Sequence, residues 1–75
     1  MTRLADLPVG SRALVTSVEG VDEIAVRLLE MGVTPGVEIR VVGVAPLGDP
    51  WELEVRGYRL SVRKSEAMRI VVDAE

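Results

Sequence analysis

Apolar and polar positions change period several times along the chain, and each change marks an element. Leu4 to Gly10 sustains no period; Leu4 and Leu7 pack on the body, and Pro8 and Gly10 punctuate a turn. Arg12 to Val18 (RALVTSV) is rich in β-formers and predicts a first strand closed by Glu19-Gly20. From Val21 to Met31 the spacing lengthens. Ile24, Leu28 and Met31 recur at four and three, with Ala25 and Leu29 beside them, which is one face of a helix. Asp22 and Glu23 fall in its first turn, where the helix dipole favours negative charge. Glu23 and Arg27 have the spacing and order of a helical ion pair. Gly32 suits the C′ position, with Val33 folding back on Leu28, and Thr34-Pro35-Gly36 makes a turn.

Alternation then takes over. In Val37 to Val44, Val37, Ile39 and Val41 share one face and Glu38 and Arg40 the other, until Gly43 interrupts as a bulge. Ala45 to Pro50 is a loop. Trp51 to Arg56 alternates again, with Trp51, Leu53 and Val55 inward. Gly57-Tyr58 is a tight connection into Arg59 to Arg63, whose inward residues are Leu60 and Val62. Ser65 caps a single helical turn through Met68, and Arg69 to Val72 is the last strand. Short antiparallel strands in so little chain remove most of their free edges by curling. The expected fold is mainly β: a small SH3-like barrel of about five antiparallel strands, with one α-helix inserted after the first.

Composition narrows the chemistry. The chain has 75 residues, 48% of them hydrophobic, so it reads as one globular domain over residues 1–75. Valine is the commonest residue, phenylalanine is absent, and Trp51 and Tyr58 are the two aromatics. Cysteine and histidine are also absent, which excludes disulfides, Cys/His metal sites and catalysis by thiolate or imidazole. No cofactor is expected, nor any catalytic residue. The net charge of -3 argues against nucleic acid as a partner. No apolar run approaches the ~20 residues of a membrane span, and the opening MTRLADLPVG lacks a signal-peptide core. No membrane insertion is expected, and the expected compartment is the cytoplasm.

One stretch, Arg27-Leu28-Leu29-Glu30-Met31-Gly32-Val33-Thr34-Pro35-Gly36, closely resembles the "RLLELG-x-x-PG" signature of the ferrous iron transport protein A (FeoA) family. The likeness continues with Gly10 at the family's "L-x-x-G" start and Gly48-Asp49-Pro50 at its "GDP" loop. Val55 to Lys64 (VRGYRLSVRK) resembles "V-x-G-x-x-L-A-L-R-K", and Glu66-Ala67 with Ile70-Val71-Val72 resembles the closing segment. The likeness covers roughly residues 4 to 72. Met31 replaces the usual leucine, Ser61 and Val62 replace alanine and leucine, and Trp51 replaces a small aliphatic residue. The resemblance implies an SH3-like fold, a cytoplasmic location and a non-enzymatic role in ferrous iron transport. It also implies binding to the large membrane transporter, ferrous iron transport protein B, near its cytoplasmic GTP-binding domain. The same domain type occurs in iron-dependent repressors, so a regulatory domain docking on a separate DNA-binding protein is the alternative. A small nucleic-acid-binding barrel using Arg56, Arg59 and Arg63 is a third reading.

The candidate partner contacts are Arg27, Leu47, Asp49, Pro50, Trp51 and Tyr58. Arg27 offers a guanidinium fork for a carboxylate or phosphate, including a nucleotide, or else pairs with Glu23 along the helix. Trp51 with Leu47 and Pro50 forms an apolar patch, or else Trp51 heads its strand into the core. Glu38, Glu52 and Glu54 are the nearest approach to a metal cluster; a solvated face balanced by Arg40 and Arg56 is the preferred reading, so no metal site is assigned. Lys64-Ser65-Glu66 reads as a cap and solvated charge. An exposed strand edge offers strand addition or self-association.

Overall fold

The computed structural model describes residues 2–74; Met1 and Glu75, the ends of the expected 1–75 domain, lie outside the described residues. The elements run β1 (Thr2–Arg3), a 3₁₀ turn (Leu4–Asp6), β2 (Arg12–Val18), α1 (Glu23–Glu30), β3 (Glu38–Val44), β4 (Trp51–Val55), β5 (Tyr58–Val62), α2 (Lys64–Ala67) and β6 (Ile70–Ala74). The strands form one six-stranded sheet in the order β1-β6-β2-β3-β4-β5, antiparallel throughout. The mainly β architecture with a helix after the first long strand is as the sequence predicts. The sixth strand comes from the lead-in, where Thr2 and Arg3 pair with Val72 and Val71. That short pairing carries Leu4 into the core, where it is fully buried. A buried leucine contributes about 1.5–3 kcal/mol, a large share of the ~5–15 kcal/mol that holds a domain together.

The period-2 faces hold. Ala13 and Val15 of β2, Ile39 and Val41 of β3, and Trp51, Leu53 and Val55 of β4 all join one core with Val62, Ile70 and Val72. Leu28 of α1 and Ala67 of α2 close it from the helical side. The pairing of β3 with β4 skips a residue between Val41 and Gly43, so the bulge falls at the glycine-marked position. A second irregularity in β2 lies between Val15 and Ser17, where the Thr16 hydroxyl donates to the Val71 carbonyl at 3.0 Å.

Helix α1 is shorter than the periodic segment. Asp22 is its N-cap, accepting from the Ala25 N–H at 3.2 Å, which leaves Val21 outside. Its C-terminus is a Schellman motif. The Gly32 N–H donates to Leu29 O and the Val33 N–H to Leu28 O, while both Leu28 and Val33 are fully buried. Thr34-Pro35-Gly36 then turns as predicted, with the Val37 N–H donating to Thr34 O.

Three local expectations are corrected. The connection between β4 and β5 is Arg56-Gly57, not Gly57-Tyr58: Arg56 has φ 53° and Gly57 φ 84°, the type I′ geometry that matches strand twist, and Tyr58 is already in the strand. The short helix starts after Arg63, not after Ser65, because the Glu66 carboxylate accepts the Arg63 N–H at 2.8 Å. The last strand begins at Ile70 and runs on to Ala74, since Ala13 and Leu14 of β2 offer it partners there. No helix among the described residues is long and apolar enough to cross a membrane.

Candidate functional site

Arg27 and Pro50 are the two candidate contacts that the fold brings together. Arg27 lies on the exposed side of α1 and Pro50 at the end of the loop before β4. Both line an open groove of about 450 Å³, completed by Met31 at the C-cap of α1, Ser61 and Val62 of β5, and Arg63 and Glu66 at α2. The groove is thus bounded by the C-terminal half of α1, the end of the loop before β4, the end of β5 and the start of α2.

Arg27 does not pair with Glu23. It forms an ion pair with Glu66, far along the chain. Glu66 is the one buried charged residue among those described, at 4% exposure, whereas the Arg27 side chain is 59% exposed. Glu66 is therefore not solvated charge, as the sequence suggested. One carboxylate oxygen accepts from the backbone of Arg63 and the other from Arg27, so both oxygens are satisfied. The Arg27 guanidinium keeps further donors on its exposed side.

The loop candidates divide. Leu47 is 96% exposed at the tip, an apolar side chain with nothing over it. Asp49 is tied down, accepting the Lys64 N–H at 3.2 Å. Trp51 is 6% exposed, which decides between its two sequence readings: it heads its strand into the core and forms no surface patch with Leu47 and Pro50. Its ring fills the core at the head of β4, and its indole N–H donates back to Gly48 O at 3.1 Å. Burial of so large a ring, with its one donor satisfied, outweighs any exposed placement. Trp51 thus sets the shape of the loop from beneath. Tyr58, at 71% exposure, sits at the opposite end of β5 from Val62 and is separate from the groove.

The acidic residues of the outer sheet face do not converge. Glu54 lies between Arg40 at 3.6 Å and Arg59 at 3.9 Å, while Glu52 is opposite Gly43 and Ser61 and Glu38 is opposite Leu14. Arg56 borders the same face beside Glu38 and Glu54, but its guanidinium forms no ion pair among the described residues and reaches Thr34 Oγ1 at 3.3 Å. No group of three metal-ligating side chains occurs among the described residues. Arg12, Arg40, Glu54 and Arg59 instead form a straight row across β2, β3, β4 and β5.

Sequence reasoning missed Met31, Ser61, Val62, Arg63 and Glu66 as groove residues. Only Glu66 left a signal: it stands three residues after Arg63, the spacing at which an N3 glutamate reaches back to an N-cap amide. Met31 was assigned to the helix's core face, yet it lies at the helix C-cap and is 36% exposed.

The FeoA domain family matches residues 2–74. A fusion protein of Fe(2+) transport protein A and the Fe(2+) transporter FeoB from Porphyromonas gingivalis is 39% identical over 71 residues, 95% of this chain. The chain spans only 8% of that relative's length. Among solved structures, the FeoA protein of Chlorobium tepidum superposes with a TM-score of 0.90 at 38% identity, covering 97% of this chain and 70% of its own. FeoA of Stenotrophomonas maltophilia, a prokaryotic SH3 domain protein solved with zinc, superposes at 0.86 with 40% identity, covering 97% and 91%. The six-stranded antiparallel sheet with its short helices is accordingly SH3-like.

Proposed function

Because the chain belongs to the FeoA family, we propose that it is a non-enzymatic accessory protein of ferrous iron uptake that binds a cytoplasmic region of the membrane transporter FeoB. The observation that carries this reading is the Porphyromonas gingivalis relative, in which a similar domain is joined to FeoB in one polypeptide. Fusion holds two partners at high effective concentration; separate chains need an interface with affinity of its own. The groove beside α1, with the exposed donors of Arg27 and the bare tip at Leu47, offers such an interface.

The mode of action is differential binding. A module without chemistry shifts a transporter only by preferring one of its conformations, and the shift cannot exceed that preference. The test is binding of the purified chain to full-length FeoB in lipid nanodiscs, followed by iron flux and GTP hydrolysis. Saturable binding with a change in flux or turnover is the expected result. Absence of binding to both the full transporter and its isolated cytoplasmic region overturns the reading.

A further inference from the structure

Strand β5 ends the sheet: it pairs with β4, and no other described strand lies beyond it. In a hairpin closed by a two-residue I′ turn, the flanking pair Val55–Tyr58 is hydrogen-bonded, and bonded and non-bonded pairs then alternate. Leu60 and Val62 therefore spend their backbone groups on β4, whereas Arg59 and Ser61 turn theirs outward. The side chains of Arg59, Ser61 and Arg63 follow one another on the outer face, with the arginines about 13 Å apart at the usual rise of a strand.

This edge is charged against the rest of the molecule. Tyr58 to Lys64 holds Arg59, Arg63 and Lys64 and no carboxylate, in a chain of net charge -3. The one ion pair of Arg59, to Glu54 at 3.9 Å, is long, and the Arg59 side chain is 63% exposed, so little holds it there. At the far end of the edge lies the groove between Met31, Pro50 and Val62.

We propose that the free edge of β5 receives an extended acidic segment of a partner polypeptide by strand addition. Its main chain bonds to Arg59 and Ser61, its carboxylates lie on the side of Arg59 and Arg63, and an apolar side chain enters the groove at Met31 and Val62. A second copy of this chain is the wrong occupant. Two β5 edges paired antiparallel with their core faces continuous gather four arginines on one face, and like charges across strands repel. The arginines that block self-pairing are the ones that select an acidic strand. This deepens the proposed function and rests on the reading that the chain docks on a larger protein, although the edge can be tested apart from it.

The probe is a capped seven-residue peptide alternating glutamate and valine, titrated into the 15N-labelled chain, with a lysine–valine peptide as control. The expected result is binding at or below about 1 mM. Shifts should be confined to residues 58–64 and the groove, and amide exchange at Arg59 and Ser61 should slow at least tenfold, with no such slowing at Leu60. Arg59→Glu/Arg63→Glu, and the milder Arg59→Gln/Arg63→Gln, should each weaken binding tenfold or more while leaving the circular dichroism spectrum unchanged. Equal binding of the lysine peptide, shifts centred on Arg12 and Arg40, or a dimer through β5 in sedimentation each overturns the proposal. FeoB tests the two readings separately. Binding of wild type and of both double variants with equal affinity sinks the edge assignment and spares the proposed function; binding of the peptide but not of FeoB does the reverse.

Discussion

Arg27 and Glu66 stand 39 positions apart in sequence and meet as an ion pair at the floor of the groove, one partner wet and the other buried. That asymmetry predicts unequal mutations. Glu66→Ala removes the acceptor for both Arg63 N–H and Arg27 and leaves a small void, so it should cost about 2–4 kcal/mol. Arg27→Ala removes an exposed side chain, opens the Glu66 carboxylate to water on that side and leaves its bond from the Arg63 N–H, so it should cost about 1–2 kcal/mol. Chemical denaturation of the two variants checks the order; the reverse order contradicts the burial of Glu66.

The end of α1 makes a second prediction. Gly32 has φ 101°, and a Cβ built on it meets nothing closer than 3.8 Å. Space is therefore not the constraint; backbone conformation is. Gly32→Ala should lower stability by about 1–2 kcal/mol through left-handed strain alone. A crystal structure of the variant should show Leu28 and Val33 still in contact. Collapse of that contact would point to a packing role instead.

The hairpin turn behaves in the opposite sense. Arg56 occupies the left-handed region at φ 53°, which asparagine tolerates better, ahead of Gly57. The Arg56–Thr34 hydrogen bond that would be lost is exposed and 3.3 Å long. Arg56→Asn should therefore raise stability by about 0.5 kcal/mol and Gly57→Ala lower it by about 1 kcal/mol. Thermal unfolding of both variants tests the pair of signs.

Much of this fold was legible because its elements obey local rules. Alternation in Trp51 to Val55 put the right residues inward, and the Gly32 cap with its Leu28–Val33 contact follows from a short motif. The β4–β5 turn was misplaced by one residue because it uses a non-glycine in the left-handed region, which sequence preferences discount at arginine. The groove was legible only in its parts. Arg27 and Pro50 were named, but the ion pair with Glu66 spans 39 residues, and nothing local announces it. Trp51 has two readings in sequence, an apolar patch with Leu47 and Pro50 or the head of its strand in the core, and the core, short of aromatics, takes the ring.

Acid sensitivity supplies the fourth prediction. Hydrogen bonding to the Arg69 guanidinium at 2.5 Å, then to the Ala25 amide, holds the Asp22 carboxyl below its ordinary 3.8. The Arg3 guanidinium does the same for Glu19, below 4.5. A carboxyl that is more acidic when folded binds fewer protons than in the unfolded chain, so stability rises with pH across that window. These contributions are complete above about pH 5 and fade as pH falls through 4.5 and 3.8 and lower. Asp22→Asn keeps an N-cap but cannot titrate. Its stability should match wild type more closely at pH 3 than at pH 7, measured by urea denaturation at both.

Trp51 is the chain's single tryptophan and both fills the core and ties the loop at Gly48, so two substitutions can separate the roles. Trp51→Ala removes the ring and should cost about 3–5 kcal/mol, enough to unfold much of so small a domain. Trp51→Phe keeps most of the packing and loses the indole donor to Gly48 O; it should cost about 1–2 kcal/mol. In wild type the buried ring should emit at shorter wavelength than free tryptophan and resist quenching by iodide. In Trp51→Phe, 15N relaxation should show residues 45–50 gaining fast motion while β3 and β4 do not. If the loop stays as rigid as in wild type, its shape is set by Asp49 and its bond from the Lys64 amide rather than by the indole.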